Sequence, residues 1–115
     1  MTYAQMERKI RTAGSWFVGA FMGEFLAKYP QYSEDSSSRV SFIQYIHREY
    51  GENLDYSYES TKTKCYALIS IIENHVVLEA LEYVINSNEN KVGADAIENA
   101  IELADAISKG IVALP

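Results

Sequence analysis

Apolar residues recur at intervals of three and four along most of this chain, and no comparable segment alternates with the period of two that a strand requires. Four stretches follow the helical period, and each is bounded by residues that favour helix ends or turns. The sequence therefore predicts an all-α fold, a compact bundle of four or five helices. A length of 115 residues is typical of one domain, so we predict a single helical domain over residues 1–115.

The first predicted helix is the most apolar of the set. It starts near Thr2, where Thr2 and Gln5 have the spacing of a capping box, and continues to about Lys28, ahead of Tyr29-Pro30. From Trp16 to Leu26 the helix is apolar on nearly every side. Such a segment is typical of the centre of a core or of an oligomer interface.

Two glycines, Gly19 and Gly23, lie four residues apart on this helix. Each costs close to 1 kcal/mol of helix propensity relative to alanine, and close approach of a second helix would offset that cost. Two arrangements fit the pattern. One is tight packing inside the chain, and the other is a homodimer seam formed by Trp16, Gly19 and Gly23.

The second predicted helix, Ser37 to Tyr50, ends at Gly51, which we expect in a left-handed conformation. A third helical stretch begins near Ser60, and the interruption Glu73-Asn74-His75 favours a pair of helices with a tight turn over one continuous helix.

After a polar linker, the last predicted helix extends from about Gly93 to Lys109, and Gly110 closes it. Its predicted buried face carries four apolar residues, namely Ile97, Ile101, Ala104 and Ile107.

The charge balance restricts the classes of partner. Ten basic and sixteen acidic residues leave a formal charge of −6, which disfavours broad attraction to nucleic acid or to an anionic membrane. Glu24 and Lys28 interrupt the apolar run before the ~20 residues that a membrane span needs, so we expect no membrane association. A single cysteine, Cys65, rules out a disulfide within the chain and fits a reducing compartment. We therefore expect a cytoplasmic protein.

No short motif for catalysis, metal binding or phosphate binding occurs in the sequence. Cys65 has the position of a small buried thiol, one turn before Leu68. A catalytic role for His47 or His75 would require a polar pocket around either ring. We predict a non-enzymatic protein with no cofactor and no metal.

Two sets of residues are candidates for binding a partner. One is an acidic stripe, which recurs at helical spacing on the last helix and consists of Asp95, Glu98, Glu102 and Asp105. The other lies in a segment rich in tyrosine with a few basic residues, and consists of Tyr45, Arg48, Tyr56, Tyr58, Lys62 and Lys64. Tyrosine is enriched at interfaces because it supplies large contact area at low entropic cost. Both sets also fit ordinary structural roles, as a solvated helix face and as core tyrosines.

The leading hypothesis from the sequence is a helical interaction protein that binds a protein partner and self-associates. A more specific form is an inhibitor from a phage or other mobile element, whose carboxylates replace phosphates in a nucleic-acid-handling host defence enzyme such as a CRISPR effector. A further alternative is a small nucleic-acid-binding module, which requires its basic side chains to converge on one face. Those side chains are Arg8, Lys9, Arg11, Arg48, Lys62 and Lys64.

Overall fold

Seven α-helices and one π-helical turn form the protein in a computed structural model that describes all residues 1–115. The helices are α1 (Tyr3–Ala13), α2 (Ser15–Tyr32), α3 (Ser36–Ile46), α4 (Tyr58–Glu73), α5 (Val77–Ile85), α6 (Glu89–Val92) and α7 (Ala94–Ser108), and the π-helical turn His47–Gly51 follows α3 directly. The all-α prediction is confirmed, although the helices number seven rather than four or five. None of them combines the length and apolar composition needed to span a bilayer.

The predicted first helix is divided in two at Gly14. This residue has φ = 90°, a conformation open to glycine and strained for other residues, and its N–H donates to the carbonyl of Ile10. The capping box at the start of α1 is present, with Gln5 N bonded to Thr2 Oγ1 at 3.1 Å and Thr2 N bonded to Gln5 Oε1 at 2.8 Å. The sequence therefore predicted the beginning of α1 correctly and missed its end.

The proline at position 30 does not stop α2, which continues to Tyr32. A proline inside a helix removes one backbone hydrogen bond at a cost of about 3 kcal/mol. Tyr32 offsets this cost because its ring is almost completely buried and its hydroxyl donates to the carbonyl of Phe25 at 2.9 Å. Tertiary packing thus extends the helix past its local stop signal.

Helix α2 lies at the centre of the bundle and packs against α1, α3, α4, α5 and α7. Its aromatic side chains join those of α3 and of the π-helical turn in a continuous set of ring contacts. For example, the ring centroids are 5.0 Å apart both for Phe25 with Phe42 and for Phe21 with Tyr50. This central position explains why the segment is apolar on nearly every side.

Gly51 is not left-handed, contrary to the expectation for a helix C-terminus, because the chain continues through the π-helical turn. A Cβ at Gly51 would lie 2.5 Å from Thr61 Oγ1 and 2.6 Å from His47 Nδ1. Those two atoms are themselves hydrogen-bonded at 2.8 Å. Glycine is therefore required here for close approach of α4, and not for its backbone conformation.

The turn predicted at Glu73-Asn74-His75 is present and separates α4 from α5, with His75 at φ = 59°. Helix α4 begins slightly earlier than predicted, at Tyr58, because Ser57 caps it through a bond to Ser60 N. The short helix α6 begins near the end of the polar linker, which was predicted over residues 86–90. Helix α7 matches the predicted last helix to within one residue at each end.

Candidate interaction surfaces

The four carboxylates of the acidic stripe, Asp95, Glu98, Glu102 and Asp105, are all exposed on α7. Only Asp105 has a basic partner inside the chain, Lys109, whose Nζ lies 2.9 Å from its carboxylate. Asp95, Glu98 and Glu102 make no ion pair. From Asp95 to Asp105 the stripe spans ten helical steps and therefore about 15 Å along the helix axis.

The buried face of α7 differs from the predicted one. The fully buried residues are Ala96 and Ala100, whereas Ile101, which was assigned to the core, is 49% exposed. The physical reason is the close approach of α2 and α7, which small alanine side chains permit and isoleucine would prevent. As a result α7 carries an exposed isoleucine on the same helix as the unpaired carboxylates.

The self-association residues occupy three different environments. Gly19 is buried, and a Cβ there would lie 2.6 Å from the carbonyl oxygen of Ala96, so its close approach to another helix occurs inside the chain. Gly23 is exposed with no atom near its missing Cβ. Trp16 is half-buried and packs edge-on against Phe21 at 5.8 Å. The intrachain alternative therefore accounts for Gly19.

The tyrosines of the candidate segment are half-buried and pack against the core. Their nearest rings are Phe42 for Tyr45 at 6.3 Å, Phe17 for Tyr56 at 6.4 Å and His47 for Tyr58 at 5.5 Å. Burial raises the pKa of Tyr56, and burial together with the neighbouring Tyr50 and Glu24 raises the pKa of Tyr45. These rings stabilise the fold, and only part of each is left for a partner.

The basic residues of the same segment are not gathered into one cationic surface. Lys64 donates to the carbonyl of Ala13 at 3.0 Å and lies 5.0 Å from the ring centroid of Tyr56, so it caps the end of α1. Arg48 is exposed and pairs with its neighbour Glu49 at 3.7 Å. Lys62 is half-buried and makes no ion pair.

The basic residues of α1 form a separate group. Arg8 and Lys9 line a groove together with Gln5, Thr12 and Asn74. Lys64 is engaged inside the chain and Arg48 has a carboxylate beside it, so four of the six side chains keep no such partner, namely Arg8, Lys9 and Arg11 on α1 and Lys62 on α4. The six residues predicted for the nucleic-acid alternative therefore do not act as one free cationic set.

The cysteine and the histidines do not form a catalytic group. Cys65 is fully buried, and burial raises the pKa of its thiol to about 12, which opposes formation of a nucleophilic thiolate. His47 Nδ1 is bonded to the buried hydroxyl of Thr61, and His75 is exposed in the turn after α4. No three His, Cys, Asp or Glu side chains come together in a group that could hold a metal ion.

One concave surface of the protein was not predicted from the sequence. A groove of about 520 Å³ lies between α2 and α3, and we call it the α2–α3 groove. Its lining consists of Lys28, Gln31, Tyr32, Ser37, Ser38, Ser41, Phe42 and Tyr45. The spacing shows only that positions 28, 31 and 32 share one face of a helix, as do 38, 41, 42 and 45, and it does not show that the two faces adjoin.

Comparisons of this chain with protein families, with characterised proteins and with solved structures found no match.

Proposed function

We propose that this protein is a non-catalytic binding protein whose helix α7 recognises a basic surface on a partner protein. The observation that carries the proposal is the row of exposed carboxylates on α7, of which Asp95, Glu98 and Glu102 have no basic partner in the chain. Unpaired surface charge of one sign attracts a partner of the opposite sign and orients it during association.

The chemistry of α7 favours a protein over a small cation. Ile101 is 49% exposed on the same helix, and apolar contact beside charge pairs is the usual composition of a protein interface. A partner helix or loop with lysine or arginine next to an apolar side chain would satisfy both features. The overall charge of −6 acts in the same direction, because it repels nucleic acid and acidic partners.

A groove that normally binds nucleic acid is one source of such a basic surface. The stripe extends about 15 Å along one side of α7, so it presents a row of negative charges in place of phosphates. In this form of the proposal the protein acts as a competitive inhibitor of a nucleic-acid-handling enzyme. Displacement of nucleic acid from the captured partner distinguishes this form from simple binding.

The test uses a variant with a neutral stripe, Asp95→Asn with Glu98→Gln and Glu102→Gln. A matched control neutralises three exposed carboxylates on other elements, Glu34→Gln, Glu52→Gln and Glu59→Gln, so both proteins have the same net charge. Each set also removes one carboxylate from the first turn of a helix, Asp95 in α7 and Glu59 in α4.

The ligand for this test is a synthetic amphipathic helix with lysine on one face and leucine on the other, titrated by calorimetry at low and at physiological salt. We expect the neutral-stripe variant to bind at least tenfold more weakly than the control, since each exposed charge pair contributes up to ~1 kcal/mol. In affinity purification from a lysate, the wild-type and control proteins should both retain basic partner proteins, and the neutral-stripe variant should lose them. Equal binding by the two variants would contradict the proposal.

A further inference from the structure

The α2–α3 groove has an aromatic base. Tyr32 and Phe42 are 1% and 8% exposed, and their rings stack with centroids 4.5 Å apart and planes 18° from parallel. Tyr45, which is half-buried, adds a third ring to the lining. The hydroxyl of Tyr32 is already bonded to the carbonyl of Phe25, and its ring is stacked on Phe42, so the accessible aromatic surface comes from Tyr45 and the exposed part of Phe42.

The remaining lining residues are polar: Lys28, Gln31, Ser37, Ser38 and Ser41. The hydroxyl of Ser38 is hydrogen-bonded to the Asp35 carboxylate, whereas the other four side chains make no hydrogen bond or ion pair within the chain. Other hydroxyls behave differently, since those of Thr12, Thr63 and Ser87 each donate to the carbonyl four residues earlier. Two hydroxyls, one amide and one ammonium group therefore keep their full hydrogen-bonding capacity around one concavity.

The residues that line the groove carry a positive charge, opposite in sign to that of the whole protein. The lining contains one lysine and no carboxylate, although acidic residues outnumber basic ones by sixteen to ten in the chain. Two carboxylates lie close to lining residues, and both have partners. Asp35 accepts from Ser38 N at 2.7 Å as the cap of α3, and Glu24 accepts from the hydroxyl of Tyr45 at 3.5 Å.

We propose that the α2–α3 groove binds a small molecule in which an oxyanion, such as a phosphate or sulfate group, is attached to a planar aromatic ring. The Lys28 ammonium and the hydroxyls of Ser37 and Ser41 donate hydrogen bonds to the oxyanion, and charge-assisted bonds of this kind are the strong ones. The ring of the ligand contacts Phe42 and Tyr45. A volume of about 520 Å³ lies within the usual range for small-molecule sites.

The test is a titration of ¹⁵N-labelled protein with phenyl phosphate, the simplest molecule of this class, followed by NMR. Separate titrations with inorganic phosphate and with phenol measure the contribution of each half. We expect saturable shifts confined to amides of residues 28–45, and at least tenfold tighter binding of phenyl phosphate than of either half alone. Equal binding of inorganic phosphate and phenyl phosphate would overturn the proposal, as would shifts outside the groove or no shifts.

Two lysine variants complete the test. Lys28→Met should weaken binding of phenyl phosphate at least tenfold, because it removes the cation and preserves the length of the side chain. Lys62→Met is the matched control, since Lys62 is also a half-buried helical lysine without an ion pair, and it should leave binding unchanged. Equal weakening by the two variants, or none by Lys28→Met in a protein with unchanged circular dichroism, would refute the assignment.

Discussion

Replacing Gly19 by alanine would place a methyl carbon 2.6 Å from the carbonyl oxygen of Ala96 and 3.1 Å from its carbonyl carbon. Both atoms belong to the backbone of α7, so no side-chain rotation can relieve the contact. The helices α2 and α7 must move apart instead. The same replacement at Gly23 meets no atom within 4 Å, so this second glycine of α2 is a matched control.

The two variants share one favourable contribution. Alanine in place of glycine stabilises a helix by about 1 kcal/mol, and we expect Gly23→Ala to raise the free energy of unfolding by that amount. At Gly19 the overpacked contact costs up to about 3 kcal/mol, so the net loss is about 2 kcal/mol. The variants should therefore differ by about 3 kcal/mol, and that difference measures the packing of α2 on α7.

Urea denaturation followed by circular dichroism measures both free energies. With an m-value of about 2 kcal/mol/M, the midpoints of Gly19→Ala and Gly23→Ala should lie about 1.5 M apart. Equal stabilisation by both substitutions would refute the close packing at Gly19. Light scattering on the same samples tests self-association, because a homodimer seam through Gly23 requires its alanine variant to dissociate. A wild-type protein that is monomeric at all concentrations would reject that seam.

Three further predictions concern residues engaged inside the fold. Lys64→Met should lower the free energy of unfolding by about 1–2 kcal/mol, because it removes the cap of α1. The control Lys62→Met should change this free energy little, and urea denaturation measures both. Cys65 should resist thiol reagents in the native protein. Burial raises the pKa of its thiol from 9.0 to about 12, so the unfolded chain loses this proton at lower pH than the folded protein. The free energy of unfolding should therefore fall as pH rises from 9 to 12, and it should fall less steeply in Cys65→Ala. Gly51→Ala should destabilise the protein by about 1–3 kcal/mol, and adding Thr61→Ala should recover part of the loss in a double-mutant cycle.

Local sequence chemistry predicted those helix ends that depend on local interactions. The capping box at Thr2 and Gln5 and the turn after Glu73 both involve side chains within a few residues of the bonds that they complete. The break at Gly14 and the passage of α2 through Pro30 were not predictable in this way. Each depends on packing against residues distant in the sequence, and periodicity alone continues through both positions.

The same distinction separates the candidate surfaces. Exposure of the acidic stripe on α7 could be predicted, because helical periodicity places its carboxylates opposite the buried face. Whether Tyr45 and Tyr56 are buried or exposed could not be predicted, since tyrosine is common both in cores and at interfaces. The α2–α3 groove was also beyond prediction, because its two walls come from helices whose relative position depends on the turn at residues 33–35 and on the stacking of Tyr32 with Phe42.

Residue type alone is therefore a poor guide to the binding surfaces of this chain, and the hydrogen-bond partners of each side chain are a better one. Lys64 looks available in the sequence, yet it holds the end of α1, and Arg39 joins α3 to α4 through Glu73 at 3.0 Å. Lys28 has no such partner and lies in a groove with other polar groups of unused capacity. Since losing an internal partner destabilises the fold, substitutions at Lys64 or Arg39 confound binding with stability. Substitutions at Lys28, Glu98 or Glu102 remove no such partner, so those positions give the cleaner test of function.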